Sequence, residues 1–371
     1  MTVLNTSTLS NSGRTQHQNK IDDFLQKNLP TPYLVIDLDE VKQQYLNLAT
    51  LLPSAKIYYA VKANPAQPIL RLLANLGSCF DIASIGELDQ CLEINIPPDR
   101  ISYGNTIKKT QDIAYAYNSG IRLFTFDSLE ELQKIATVAP GSKVICRIFV
   151  DNCGAEWPLS KKFGCEVSTA HHLLLQSKEL GLYPYGVAFH VGSQQCNPNQ
   201  FDVAISQVAQ LFVRLRLEGV ELKMINLGGG FPAHYQSPIL DTNSYTDVIK
   251  ESLNRHFRNS IPEIMMEPGR SLVADAGTIL TEVVLISKKS FQHEHLSWVF
   301  VDIGKFGGLI ETMDECIRYR IVAPKYNGCT EKVVIAGPTC DSVDVLYEKN
   351  HYELRTYATG TGDRYIIVFV Y

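Results

Sequence analysis

Lys62 follows directly on the apolar run Tyr58-Tyr59-Ala60-Val61. An amine at the end of such a run is partly desolvated, can lose its proton, and then condenses with carbonyl compounds. Taken alone, it reads rather as a lysine snorkelling to a rim. Gly228, Gly229 and Gly230 let the backbone approach a ligand closely and aim several N–H groups at one anion. Alone, they are a tight turn. With Arg270 as a fixed cation and Ser193 as a hydroxyl donor, they become a phosphate cup. A carbonyl-reactive lysine with a phosphate cup suits a phosphorylated aldehyde, and pyridoxal 5'-phosphate is the common cofactor of that kind. Glu267 can keep the pyridine nitrogen protonated, so that the ring accepts a carbanion's electrons, and His190 can stack on the ring face. By itself His190 is as well explained as a core histidine bonded to a backbone carbonyl.

The elements that must position these groups show a regular rhythm. Eight β-rich runs lie at 56–62, 79–84, 101–105, 122–128, 143–149, 185–191, 223–230 and 263–270. The segments between them space apolar residues three and four apart, several ending at glycine, as helices do. Strands alternating with helices predict right-handed βαβ units and a parallel sheet. The expected fold is therefore α/β, a (β/α)8 TIM barrel over residues 39–272, with a doubly wound open sheet as the rival. Catalytic groups of a barrel sit where strands pass into βα loops. Those ends carry Lys62, Asp81, Glu87, Asn105, Asp127, Arg147, His190, the three glycines and Glu267. After Arg270 the runs become short, β-branched and aromatic, which predicts a second, mostly antiparallel β domain from 31–38 plus 273–371. Residues 1–30 read as a flexible tail.

Composition excludes several classes. Lys and Arg total 34 against 39 Asp and Glu, a net charge of −5 with no basic block, so non-specific nucleic-acid binding is not expected. No run reaches a membrane span of about 18–20 apolar residues, and the N-terminus lacks a signal-type apolar core. The 9 cysteines are unpatterned, with no C-x-x-C pair, which predicts reduced thiols in a cytoplasm, and no metal site is expected.

The motifs YAVKAN (59–64), FDIAS-x-x-E (80–87), KKFG (161–164), FHVGS (189–193), NLGGGFP (226–232), EPGRS (267–271) and GPTCDS-x-D (337–344) occur in this order. The chain resembles the barrel-type pyridoxal-phosphate decarboxylases of basic amino acids, with an alanine-racemase-like fold, closest to ornithine/lysine decarboxylase. The resemblance implies a homodimer with active sites built at the subunit interface. Lys62 becomes the lysine that carries the cofactor, Glu267 the pyridinium partner and His190 the stacking group. Ser193, Gly228, Gly229, Gly230 and Arg270 hold the phosphate, with Asp81 near the lysine and Arg147 near the ring oxygen and Glu267. Cys340, which by itself reads as a buried structural thiol, becomes the proton donor to the α-carbon. Asp341 binds the distal amine of the substrate. Glu311, Asp314 or Glu315 lie where the family has its specificity helix, and Asp314 is the residue taken for substrate binding.

The expected reaction is decarboxylation of L-ornithine to putrescine, with L-lysine to cadaverine as a second activity, in polyamine biosynthesis. Diaminopimelate decarboxylase is the nearest alternative, but its cysteine is usually followed by Glu-Ser-Gly, whereas the run here is Cys340-Asp341-Ser342. The family continues past the GDR turn into a Gly-Ala-Tyr motif and further β segments, while this sequence reads GDRYIIVFVY (362–371). The β domain is therefore expected to be shortened, and an impaired homologue acting as a binding or regulatory protein is the second alternative. The end YIIVFVY is expected to be an exposed edge unless something covers it.

Overall fold

The computed structural model describes residues 23–24, 27, 29–158, 162–289, 296–323, 330–355 and 366–370. Most of the expected tail, Lys161 of KKFG, the GDR turn, Tyr365 and Tyr371 lie outside the described residues. Two units are distinguished by their internal contacts. One holds Leu38–His234 and Pro238–Asp275; the other holds the described residues up to Asp37, Tyr235–Ser237, and those from Ala276 onward.

In chain order the first strands are β1 (Tyr33–Ile36), β2 (Ala55–Ala60), β3 (Cys79–Ile82), β4 (Ile101–Tyr103), β5 (Leu123–Phe126) and β6 (Lys143–Arg147). There follow β7 (Ala155–Trp157), β8 (Tyr183–Ala188), β9 (Ser193–Gln195), β10 (Met224–Asn226) and β11 (Glu263–Met266). β2, β3, β4, β5, β6, β8, β10 and β11 form a closed parallel barrel, with β11 pairing back onto β2. These are the eight predicted runs, each ending earlier than its apolar pattern. Lys62, Ser84, Asn105, Asp127, His190, the glycines and Glu267 all fall just past the last ladder residue, where backbone N–H and side chains are free to turn toward a ligand.

Inward residues of the strands fill the barrel: Tyr58, Leu123, Ile145, Tyr185, Ala188, Met224 and Met265 form one buried cluster. The Tyr185 hydroxyl keeps a polar partner, donating to Glu263 at 2.8 Å. Helices start where the sequence supplies caps. Ser84 Oγ accepts from Glu87 N–H at 3.3 Å at the head of Ile85–Glu93, and Ser128 Oγ accepts from Glu131 N–H at 3.4 Å at the head of Leu129–Val138. β7 and β9, which the sequence reading did not anticipate, pair antiparallel beside the barrel, so Ser193 lies in an added strand rather than at the end of β8.

The second unit contains β12 (Gly277–Lys288), β13 (Ser297–Val301), β14 (Arg320–Val322), β15 (Thr330–Ala336), β16 (Val345–Arg355) and β17 (Ile366–Val370). Their order is β14-β17-β12-β13-β15-β16, with β1 paired antiparallel to β12. All pairs are antiparallel except β13 with β15. Ile366–Val370 is not an exposed edge: it hydrogen-bonds to β12 on one side and β14 on the other. No helix among the described residues is long and apolar enough to cross a membrane.

Candidate active site

β2 leaves the ladder at Ala60 and enters a 3-10 turn, Val61–Ala63, that carries Lys62. Val61 is buried and Lys62 is exposed, so the partial desolvation expected of its amine is not provided. The turn, rather than the barrel wall, holds the residue. The turn itself is pinned. Tyr59 Oη donates to the Asn64 carbonyl at 2.9 Å, and Asn64 Oδ1 accepts from Ala66 N–H at 3.1 Å. Ala60 N–H donates to the Pro268 carbonyl at 3.1 Å, and a Cβ on Gly269 would lie 2.9 Å from Ala63 Cβ. YAVKAN and EPGR thus meet at a spacing only glycine permits.

The Lys62 charge acts on Asp81, Glu87 and His190. Asp81 is buried in β3 and accepts from Ser102 Oγ at 2.6 Å. Burial, then the Glu267 carboxylate, push its carboxyl well above the ordinary range, against the pull of Ser102 and Lys62. A side chain at Gly104 would run into the Asp81 carboxylate, which explains a glycine there. Glu87 reaches back from its helix to accept Ala83 N–H at 2.7 Å, so FDIAS-x-x-E is in part a capping box. Burial raises Glu87 as well, opposed by that N–H and by Lys62.

The glycines after β10 lie against neighbouring backbone on all sides. A Cβ at Gly228 would meet the Phe189 carbonyl, one at Gly229 the Glu267 carbonyl at 2.7 Å, and one at Gly230 the Gly192 carbonyl at 2.5 Å. Gly228 and Gly230 also take positive φ, 64° and 104°. Arg270 opens the helix Arg270–Val273, and its Nε and one terminal nitrogen lie 3.2 and 3.0 Å from Ser193 Oγ. A cation, a hydroxyl and a glycine backbone that nothing bulkier could replace form a cradle suited to a phosphate.

Asn226, the first residue of NLGGGFP, joins this cradle to Glu267. Its Nδ2 donates to Glu267 Oε1 at 2.5 Å while its Oδ1 accepts Gly228 N–H at 2.9 Å. Its signals are its place at the head of NLGGGFP and a polar side chain closing an apolar strand. His190 accepts Gly192 N–H on Nδ1 at 3.1 Å, which leaves Nε2 as the protonated nitrogen of a neutral ring. Burial, then the charges of Arg147 and Lys62, hold its pKa well below the ordinary value. Arg147 closes β6; burial lowers its pKa while Glu267, Asp127 and Asp81 favour its charge. Its guanidinium lies 5.4 Å from the centroid of the Phe163 ring. Asp127 is structural, accepting Gly164 N–H at 2.7 Å. The structure thus brings Lys62, Asp81, Arg147, His190, Ser193, the glycines, Glu267 and Arg270 to one end of one barrel.

These residues fit pyridoxal phosphate: an accessible amine, a glycine-lined anion cradle with a cation, a fixed carboxylate and a neutral imidazole. Residues 38–274 match the family described as "Pyridoxal-dependent decarboxylase, pyridoxal binding domain". The chain belongs to the pyridoxal-dependent decarboxylases of basic amino acids. It is 34% identical over 324 residues to the lysine/ornithine decarboxylase of Selenomonas ruminantium, covering 87% of this chain and 81% of that protein. It is 34% identical over 339 residues to the ornithine decarboxylase of Schizosaccharomyces pombe, with 87% and 75% covered. A solved structure of SrLDC in complex with PLP and cadaverine superposes with a TM-score of 0.84 at 30% identity, covering 99% of this chain and 89% of that one.

In the second unit of the decarboxylase, Cys340 is exposed, not the buried structural thiol its residue type suggested. Asp344, 2% exposed, explains this. Its Oδ1 accepts Lys305 N–H at 2.8 Å, and its Oδ2 accepts from Thr339 N–H at 3.2 Å and Thr339 Oγ1 at 2.7 Å. The turn between Gly337 and Asp344 is wrapped around that buried carboxylate, with Cys340 and Asp341 left outside. Asp341 Oδ1 accepts Val343 N–H at 2.9 Å. The segment Ile310–Glu315 is a kinked pair of 3-10 turns with Asp314 exposed at φ 52°. Glu315 is committed elsewhere. Its oxygens accept from Glu348, Lys349 and Asn350 N–H at 2.8, 2.6 and 2.9 Å and from Asn350 Nδ2 at 2.8 Å. Burial opposes its ionisation, but these donors hold it below the usual carboxylate range.

Proposed function

We propose that the chain converts L-ornithine to putrescine and, as a second activity, L-lysine to cadaverine, working as a homodimer with shared sites. The observation that carries the substrate choice is the exposed Cys340-Asp341 pair on a turn fixed by Asp344: a thiol beside a carboxylate suits an amino acid with a second, distal amine. Val343, two residues beyond Asp341, is exposed as well, an apolar side chain that suits a covered surface beside the pair. Formation of putrescine assigns the reaction to polyamine biosynthesis.

Bound pyridoxal phosphate supplies an electrophilic aldehyde and a ring that takes up the electron pair released as CO2 leaves. Lys62 would hold the cofactor covalently through its amine. Gly228, Gly229, Gly230, Ser193 and Arg270 fix the phosphate. Glu267, steadied by Asn226, would keep a proton on the ring nitrogen, and neutral His190 would pack on the ring face. Arg147, whose charge Glu267 favours, would serve the ring oxygen, and Asp81 would serve the lysine, whose charge it feels. Cys340 would donate the proton to the α-carbon, general-acid work that an exposed thiol can do. Asp341, with Asp314, binds the distal ammonium.

Purified chain supplied with cofactor is expected to release CO2 from ornithine and, more slowly, from lysine. No release from either would refute the assignment. Lys62→Ala is expected to lose the visible absorbance band of covalently held cofactor; an unchanged band would refute the role of that amine.

A further inference from the structure

Beside the arginine of the site lie two thiols that the reaction does not use. Cys146 is fully buried in β6, and Cys165 is half-buried where the chain returns along that strand. Their sulfurs are 3.8 Å apart, and the Cys165 sulfur lies 3.5 Å from the Arg147 carbonyl oxygen. Backbone contacts hold the pair in place. Cys165 N–H donates to the Arg147 carbonyl and Phe149 N–H to the Cys165 carbonyl, both at 3.0 Å, and Ile148 bridges Cys165 in parallel register. Gly164 makes this approach possible: a Cβ there would lie 2.6 Å from the Phe149 nitrogen, and Asp127 anchors its N–H.

We propose that Cys146 and Cys165 form an oxidation site, a dithiol that a peroxide converts to a disulfide tying residues 162–165 to the strand that carries Arg147. Cys165, the more exposed thiol, reacts first: its sulfur attacks the peroxide, the O–O bond breaks, and a sulfenic acid and one water form. The Cys146 sulfur then attacks the Cys165 sulfur, the S–O bond breaks, and a second water leaves. Two thiols and one peroxide thus give one disulfide and two waters, with the thiols supplying both electrons. The sulfurs must close to about 2.05 Å, a short movement for atoms already in contact. Burial first, then the neighbouring Cys165 and the Asp127 charge, push the Cys146 thiol up, so the second step speeds up as pH rises.

The test is a peptide map of the full chain after hydrogen peroxide, with remaining thiols alkylated under denaturing conditions before trypsin. The expected product joins peptides 144–147 and 163–178, which cleavage after Lys143, Arg147, Lys162 and Lys178 separates from every other cysteine. Dithiothreitol releases it, Cys165→Ala abolishes it, and Cys340→Ala leaves it intact. The proposal is overturned if Cys146 alkylates equally in treated and untreated chain while Cys165 gains oxygen, or if Cys165 links to another cysteine. The map needs neither cofactor nor substrate, so its failure is distinct from failure of the assigned reaction.

Discussion

Two residues of the site titrate against their ordinary behaviour, with opposite consequences for stability. His190 stays neutral in the folded chain, where an unfolded histidine protonates near 6.5, because burial and then Arg147 and Lys62 disfavour the cation. Below that pH the unfolded state binds more protons, so stability falls as pH drops from 6.5 toward the folded value. Asp81 does the reverse: its folded carboxyl keeps a proton above the ordinary 3.8, so its share of stability falls as pH rises from there to its folded pKa. His190→Gln in the cofactor-free chain is expected to reduce the loss of urea stability between about pH 7 and 5.5, by at most about 1.4 kcal/mol per pH unit. An identical loss in the variant would remove His190 from the account. Asn226→Ala is expected to lower kcat/KM about 10- to 100-fold, the value of a hydrogen bond to a charged group. An unchanged kcat/KM would mean that Glu267 is held by other contacts.

At the level of elements, the barrel strands end in turns whose shape is fixed by backbone proximity. Gly229 separates close approach from strain, since it does not require positive φ yet faces the Glu267 carbonyl. Gly229→Ala must therefore shift the Glu267 turn, and overpacking of about 1–3 kcal/mol predicts cofactor binding weaker by about 5- to 160-fold. Titration of the visible cofactor band would measure it; wild-type affinity would show that the turn yields freely. The next pair of βα turns is secured differently. Lys108, buried past β4, donates to the Asn105 and Thr125 carbonyls at 2.6 and 2.7 Å and pairs with buried Glu131 at 3.0 Å. Burial lowers its pKa to about 8 although Glu131 opposes this. Lys134 completes the cluster, 2.6 Å from Glu131.

For the whole molecule, the proposed site needs Lys62 and Cys340 from different subunits. Mixing Lys62→Ala with Cys340→Ala chains is then expected to restore about a quarter of wild-type turnover, because half the dimers are mixed and each has one intact site. Activity that stays at the level of either variant alone would argue for sites complete within one chain. Sedimentation of the same samples tests directly whether a dimer forms.

The sequence by itself determined the repeated strand–helix rhythm, the residues at the strand ends and the glycine run, since periodicity and φ demands are local properties of the chain. The caps at Ser84 and Ser128 are local too, each hydroxyl serving an N–H group three residues on. Only the tertiary structure decided which strand ends converge, that Asn226 links Glu267 to Gly228, and that Asp344 turns Cys340 outward. The same holds for the neutral ring of His190, the raised carboxyl of Asp81 and the exposure of Lys62. Burial and neighbouring charge set those properties, and both come from residues far away along the chain, brought together when the barrel closes.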